Sequence, residues 1–332
     1  MAAQSLKCRE CSEEYPLDAR YVCERCFGPL EVAYAARTID DVGEARRRIQ
    51  AGPQNIWRYA EFLPLEAPPG PSLRASSRFG LPAGCTPLIR ADRLAERLGL
   101  GEVWVKNDAA NPTHSFKDRV VSVASGRARE LGFDVLACAS TGNLANAVAA
   151  AAARAGIRSA VLVPAALEQQ KIVPTAVYGG TLVAVEGTYD DVNRVAGELA
   201  GEHEDWAFVN VNVRPYYAEG SKTLGFELAE QLGWRLPEQV VIPVASGSQL
   251  TKVDKAFGEL AELGLVEGSP YRIYGAQAAG CAPVSAAFKA GLDVVRPVRP
   301  ATIAKSLAIG NPADGPYVLD TVRRTGGAVE DV

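Results

Sequence analysis

Histidine is nearly absent from this 332-residue chain, which contains only His114 and His203. That scarcity excludes a His-rich metal centre in practice. A Ser-His-Asp triad would need one of the two, and neither sits in a recognisable nucleophile context. A surplus of one charge is missing too: 35 basic side chains face 39 acidic ones, for a formal net charge of −4. Such a balance produces no general polyanion-binding field, so neither nucleic acid nor a membrane surface is an expected partner. Long hydrophobic runs are also lacking. The longest small-apolar stretch, 145–166, is broken by Asn146, Arg154 and Arg158 and reads as helix plus strand. The first seven residues form no basic and apolar leader, so a cytoplasmic protein is the expectation. Neither GxGxxG nor GxxxxGK[ST] occurs, which removes the usual support for dinucleotide-fold and P-loop readings. No period of 20–50 residues recurs, and repeat arrays are out.

What is present is globular. Apolar residues make up 48% and charged residues 22%, and the length suits about two domains at roughly 150 residues each. Four of seven cysteines fall early, as Cys8-x2-Cys11 and Cys23-x2-Cys26. An odd total without a leader argues against a disulfide framework. Two CxxC knuckles can instead place four thiolates around one tetrahedral Zn²⁺, which would supply folding energy that this turn-rich segment lacks. Four cysteines close such a site, so its role is structural. Two alternatives stand beside it: four reduced surface thiols, or a nucleic-acid ribbon, the latter weakened by acidic residues at least as numerous as basic ones.

Beyond a helix at 40–49 and a Pro-rich connector at 64–71, apolar β-rich runs alternate with helical stretches. The strand candidates are 102–106, 135–139, 160–163, 181–185, 207–213, 240–244 and 272–275. Helices are expected at 116–131, 145–155, 168–178, 189–200, 220–232 and 250–262. Short buried strands alternating with helices mean parallel sheet and an α/β architecture.

In such sheets ligands bind beyond the carboxyl ends of strands, at helix N-termini. Three loops of that kind stand out. The first, 107–119, carries Lys117 into the first turn of a helix, where the positive helix end disfavours cations. That field, with Arg119 nearby, suits an amine kept available as a nucleophile toward a carbonyl. A surface pair between Lys117 and Asp118 is the plain alternative. Lysine is scarce, nine against 26 arginines, so each candidate can be weighed. The second loop, Ser140-Thr141-Gly142-Asn143, offers hydroxyls and backbone N–H groups to an anion of carboxylate size, or merely caps its helix. In the third, 243–252, Ser246, Gly247 and Ser248 suit a phosphate held without a Walker lysine. An amine nucleophile, a carboxylate cup and a phosphate cup are what a pyridoxal-phosphate enzyme acting on an amino acid requires.

Asn-Pro-Thr-His-Ser-Phe-Lys-Asp-Arg (111–119) resembles the signature of the fold-type II pyridoxal-phosphate enzymes. Ser-Thr-Gly-Asn (140–143) and Val-Ala-Ser-Gly-Ser (244–248) resemble its companion loops. With the paired CxxC and the stretch 212–223, the whole chain is most similar to the threonine synthase branch. The resemblance implies two three-layer α/β domains of the tryptophan synthase β-like type, with a small zinc-ribbon-like module. Its boundaries would be 1–35 for the module and 36–84 for a connecting segment. Residues 85–120 and 216–332 would form the large cofactor-binding domain, and 121–215 the smaller inserted one.

The same resemblance implies the residue roles. Lys117 would be the Schiff-base lysine and proton shuttle, and Asn143 would bond the cofactor's ring oxygen. Ser246, Gly247, Ser248, Gln249 and Leu250 would wrap the cofactor phosphate. Ser140, Thr141 and Gly142 would face the substrate carboxylate. Arg214, expected at the end of the strand at 207–213, would reach the phosphate of O-phosphohomoserine. Cys8, Cys11, Cys23 and Cys26 would hold Zn²⁺, and the protein would be a homodimer. Relatives continue past the position of Val332 with more helices and a hydroxyl residue at the pyridine nitrogen. No residue here takes that role, so the sequence reads as C-terminally truncated. His114 stands where relatives often carry a smaller residue. The competing readings are cysteate synthase, threonine/serine dehydratase, and a non-catalytic relative.

Overall fold

The computed structural model describes residues 3–36, 38–65, 81–187 and 189–332. The chain divides into two compact units. Unit 1 comprises Met1–Arg37 and Arg46–Gly220; unit 2 comprises Thr38–Ala45 and Ser221–Val332. Most of the Pro-rich connector expected at 64–71 lies outside the described residues.

Unit 1 opens with an antiparallel ribbon in which β1 (Ala3–Cys8) pairs with both β2 (Glu14–Tyr15) and β3 (Leu30–Tyr34). Each CxxC closes in the same turn, with Ser12 N–H donating to Cys8 O and Phe27 N–H to Cys23 O. After the helix α1 (Val42–Gln50) comes a small antiparallel pair, β4 (Leu88–Arg90) with β5 (Trp104–Lys106). The helix α2 (Asp92–Leu98) joins them and stops at Gly99 in the left-handed region.

The body of unit 1 is then a regular alternation. It runs α3 (Lys117–Glu130), β6 (Val135–Ala139), α4 (Asn143–Ala155), β7 (Arg158–Pro164), α5 (Gln169–Ala176), β8 (Thr181–Val185), α6 (Tyr189–Glu202), β9 (Trp206–Phe208) and α7 (Arg214–Glu219). The strands form one parallel sheet in the order β8-β7-β6-β9. Period-2 alternation sorts their side chains to two faces. Leu136, Cys138, Val161 and Val163 join one core with Val120, Val148 and Tyr216. Val135, Ala137, Ala139, Ala160 and Leu162 join the other with Val192 and Ala196. Helices thus cover both faces, the three-layer arrangement that parallel strands require. The ribbon does not stand apart, because Leu6, Leu30 and Val32 are buried in the first of these cores. Each such side chain contributes about 1.5–3 kcal/mol of burial that the ribbon alone could not provide.

One strand is shorter than the sequence pattern suggests. β9 ends at Phe208 and not at 213, so Arg214 opens α7 instead of closing a strand. Asn212 is the cause: its side-chain amide accepts from Phe208 N–H at 2.9 Å and donates to Trp206 O at 3.0 Å. A side chain that satisfies the strand's own backbone groups folds 209–213 into a turn.

Unit 2 contains α8 (Lys222–Gln231), β10 (Gln239–Pro243), α9 (Ser248–Glu262), β11 (Arg272–Gln277), α10 (Pro283–Lys289), α11 (Gly315–Arg324) and β12 (Val329–Asp331). Its parallel sheet has the order β10-β11-β12. Between α8 and α9 lies a buried ion pair, Lys222 Nζ to both carboxylate oxygens of Glu259 at 2.9 Å. Removing the carboxylate takes this counter-charge away from an ammonium buried in the core. Glu259→Gln is expected to destabilise the fold by about 3–5 kcal/mol. Urea denaturation should show this as a lowered midpoint at unchanged slope.

Candidate active site

The loop ahead of α3 explains its own composition. Asn111 accepts from Gly84 N–H and donates to Asp108 O, both at 2.9 Å. Thr113 donates through its N–H and its hydroxyl to the two oxygens of Asp118, each at 2.6 Å. Ser115 Oγ accepts from Lys117 N–H at 3.2 Å. Arg119 is fully buried and forks onto Asp108 through Nε at 2.8 Å and Nη2 at 2.7 Å. Burial raises the Asp118 carboxyl, against the opposing pull of the Thr113 bonds. Asp118 is therefore committed to Thr113, and the surface pair between Lys117 and Asp118 is not what forms. His114 is exposed, in the left-handed region, with its ring Nδ1 at 3.4 Å from Ala109 O. Nearly every polar side chain of the motif is spent on shaping the loop, which leaves the amine of Lys117 as its projecting group.

Half-buried at the head of α3, Lys117 directs Nζ to Tyr217 Oη at 3.0 Å. Tyr217 comes from α7, one hundred residues downstream, and no pattern in the chain distinguishes it from the adjacent Tyr216. The close approach of the two helices depends on Gly220. A Cβ there would lie 2.6 Å from Val120 Cα and 2.8 Å from Arg119 O. Any side chain at 220 would push α7 away from the start of α3.

The 140–143 loop begins α4 from a glycine. Gly142 occupies the cap position with no side-chain cap, and Ser140 Oγ accepts from Gly142 N–H at 3.4 Å. Neither Ser140 nor Thr141 caps the helix, so its first N–H groups carry no competing side-chain oxygen. A Cβ built on Gly142 meets nothing within 4 Å, and Asn143 is exposed beside it. Arg214 is half-buried, with its guanidinium 6.0 Å from the Tyr21 ring centroid.

Unit 2 carries the third loop. Gly247 caps α9 at φ 103°, again without a side-chain cap, and a Cβ there would sit 2.6 Å from Val318 Cγ2. Only glycine fits this turn. Asp314 N–H donates to Ser246 O at 2.9 Å, which ties the loop to the start of α11. Ser246, Ser248 and Gln249 are half-buried at the helix head. Leu250 differs: its side chain is fully buried, and its N–H donates to Gly247 O at 3.1 Å.

The sulfur atoms of Cys8, Cys11, Cys23 and Cys26 all lie within 4.8 Å of one another, with contacts of 3.4–3.5 Å. A tetrahedral zinc with bonds of about 2.3 Å spaces its sulfurs about 3.8 Å apart, so the cluster fits such an ion. Burial works to raise the Cys23 thiol, but bonds from Tyr15 and from the backbone N–H groups of Cys26 and Arg25 lower it to about 6. Cys26 is pushed up to about 12: the Gly28 N–H opposes that shift, and contacts with Cys11, Cys8 and Cys23 outweigh it. Thiols this close suppress one another's ionisation unless a cation joins them.

A family model described as pyridoxal-phosphate dependent enzyme matches residues 80–332. The chain belongs to that family. It is homologous to threonine synthase, being 36% identical over 330 residues to the Methanosarcina acetivorans protein. To the threonine synthase of Methanocaldococcus jannaschii it is 37% identical over 331 residues. Each match takes in 98% of this chain and 78% of the relative. Maize serine racemase shares the fold, with a TM-score of 0.61 at 22% identity over 90% of this chain and 79% of that one. The expected fold-type II α/β architecture with an N-terminal four-cysteine module is thus borne out. Taken unit by unit, the residues fit parts of the family's cofactor: unit 1 has an amine bonded to Tyr217 Oη and a helix start at Gly142 beside Ser140, and unit 2 has a helix start at Gly247 flanked by Ser246 and Ser248. No described helix is long and apolar enough to cross a membrane.

Proposed function

We propose that the protein converts O-phospho-L-homoserine and water to L-threonine and inorganic phosphate, a β,γ-replacement, with pyridoxal 5'-phosphate joined to Lys117. The observation that carries this reading is homology over 98% of the chain, which takes in the ribbon, the Lys117 loop and both helix-start loops together. When bound, the cofactor supplies an electron sink for the charge that develops at the substrate's Cα. Lys117 Nζ removes the protons at Cα and Cβ, and the C–O bond at Cγ breaks with loss of phosphate. Water adds its hydroxyl at Cβ, and the returning protons make Cγ a methyl group and restore Cα.

Ser140, Thr141 and Gly142 hold the substrate carboxylate at the start of α4. Asn143 bonds the cofactor's ring oxygen. Ser246, Gly247, Ser248 and Gln249 hold the cofactor phosphate at the start of α9, with buried Leu250 seating the turn. Arg214, at the start of α7, pairs with the substrate phosphate. Cys8, Cys11, Cys23 and Cys26 hold a structural Zn²⁺. The reading includes the large cofactor-binding domain of 85–120 and 216–332, and a cytoplasmic homodimer that binds neither nucleic acid nor membrane.

Turnover with three substrates tests it. Phosphate and threonine are expected together from O-phosphohomoserine. Phosphate released only from O-phosphoserine would point to a cysteate synthase and overturn the reading; turnover of threonine alone would point to a dehydratase.

A further inference from the structure

We infer that Tyr217 is a positioning residue for Lys117, holding the amine in place whenever that amine is not joined to the cofactor. The inference rests on the function proposed above and adds a residue to it.

The argument begins with the amine's surroundings. Tyr217 Oη lies 3.0 Å from Nζ, and the Phe116 and Tyr217 ring centroids lie 5.8 and 5.6 Å from it. Two aromatic faces suit a charged amine, and the hydroxyl serves either protonation state. It accepts an N–H from the ammonium form and donates to the lone pair of the neutral form. The charged groups on neighbouring elements are engaged elsewhere: Asp118 with Thr113, Arg119 with Asp108, Glu219 with the Tyr34 hydroxyl at 2.7 Å, and Arg214 above Tyr21. His114 faces Ala109 O.

Tyr217 is itself well placed to hold something. The next-door Tyr216 is fully buried and donates to Asp18 O at 2.8 Å, which pins α7 to the ribbon. Glu219 ties the end of the same helix to β3 through Tyr34. A lysine that lets go of its cofactor during each turnover would otherwise sample the many rotamers of a four-carbon stem. A fixed hydroxyl within hydrogen-bond distance keeps the amine near the reacting carbon and ready to move protons.

The test compares Tyr217→Phe with Tyr216→Phe in the cofactor-loaded enzyme. Tyr217→Phe should still be reduced by borohydride onto Lys117, with kcat lower by about tenfold, the worth of one such hydrogen bond. KM should stay within about threefold, and the pH profile of kcat should move, because the group partnering the amine has changed. Tyr216→Phe should melt earlier and keep the native pH profile. A fluorinated tyrosine at position 217, which acidifies the hydroxyl without altering shape, should also move the profile, and it covers the case of a Tyr217→Phe that does not fold. Native kcat and profile in either variant at 217 would overturn the inference, as would an equal profile shift in Tyr216→Phe. If the unaltered protein itself gave no adduct on Lys117, the functional reading would fail with it, and that result is separately visible.

Discussion

Replacing Lys117 by alanine is expected to lower turnover at least a thousandfold, a loss on the order of that seen when proton-transfer and covalent groups are removed. The same substitution should abolish the borohydride-stable adduct found by peptide mapping. Stability should hardly change. Lys117 is half-buried, and its Nζ bond to Tyr217 is a single hydrogen bond worth about 1 kcal/mol. A large kinetic effect with a small thermal one separates a chemical role from a structural one. Other lysines provide the internal control. Lys222 is buried against Glu259, and Lys106 donates to Thr86 O at 2.7 Å, so each has a structural occupation. An adduct on either, with Lys117 unlabelled, would refute the assignment.

Loss of the metal should be the second large effect. With Zn²⁺ in the four-cysteine cluster, the native protein is expected to carry about one ion per chain, lost in Cys8→Ser/Cys23→Ser. Structural zinc contributes directly to folding free energy, up to about 10–16 kcal/mol in isolated peptides. Here part of the ribbon is held independently, by Leu6, Leu30 and Val32 in the shared core. The expected loss is therefore smaller, about 3 kcal/mol or more, or on the order of 10 °C in melting temperature. The damage should reach beyond the ribbon, because Arg127 of α3 donates to Leu17 O and Tyr216 of α7 to Asp18 O. Cys85→Ser lies outside the cluster and should keep the ion. Metal content unchanged in the double variant would remove the site.

Much of the α/β body was legible in the chain. The strands expected at 135–139 and 181–185 are the strands found, because short apolar runs bounded by turn residues leave few alternatives. The expected helices match those found to within two residues wherever a strong stop follows, as at Gly156, which ends α4 in the left-handed region. At 207–213 alternating valines imitate a strand, and one asparagine side chain undoes it. The end of unit 2, with α10, α11 and β12, lies beyond the elements expected from the sequence. α10 has only seven residues, too few for a period to show, whereas α11 carries a well-marked apolar face behind its Pro316 start.

The candidate site divides along the same line. Local composition was enough for the Lys117 loop, the two glycine-capped helix starts and the paired CxxC, since each is a backbone device written in adjacent residues. Only the tertiary structure brought Tyr217 to Lys117 and seated the ribbon on α3 and α7. Those relations span 100 to 198 residues and depend on which faces are buried together. Sequence periodicity says that a face is apolar; packing alone decides what it meets.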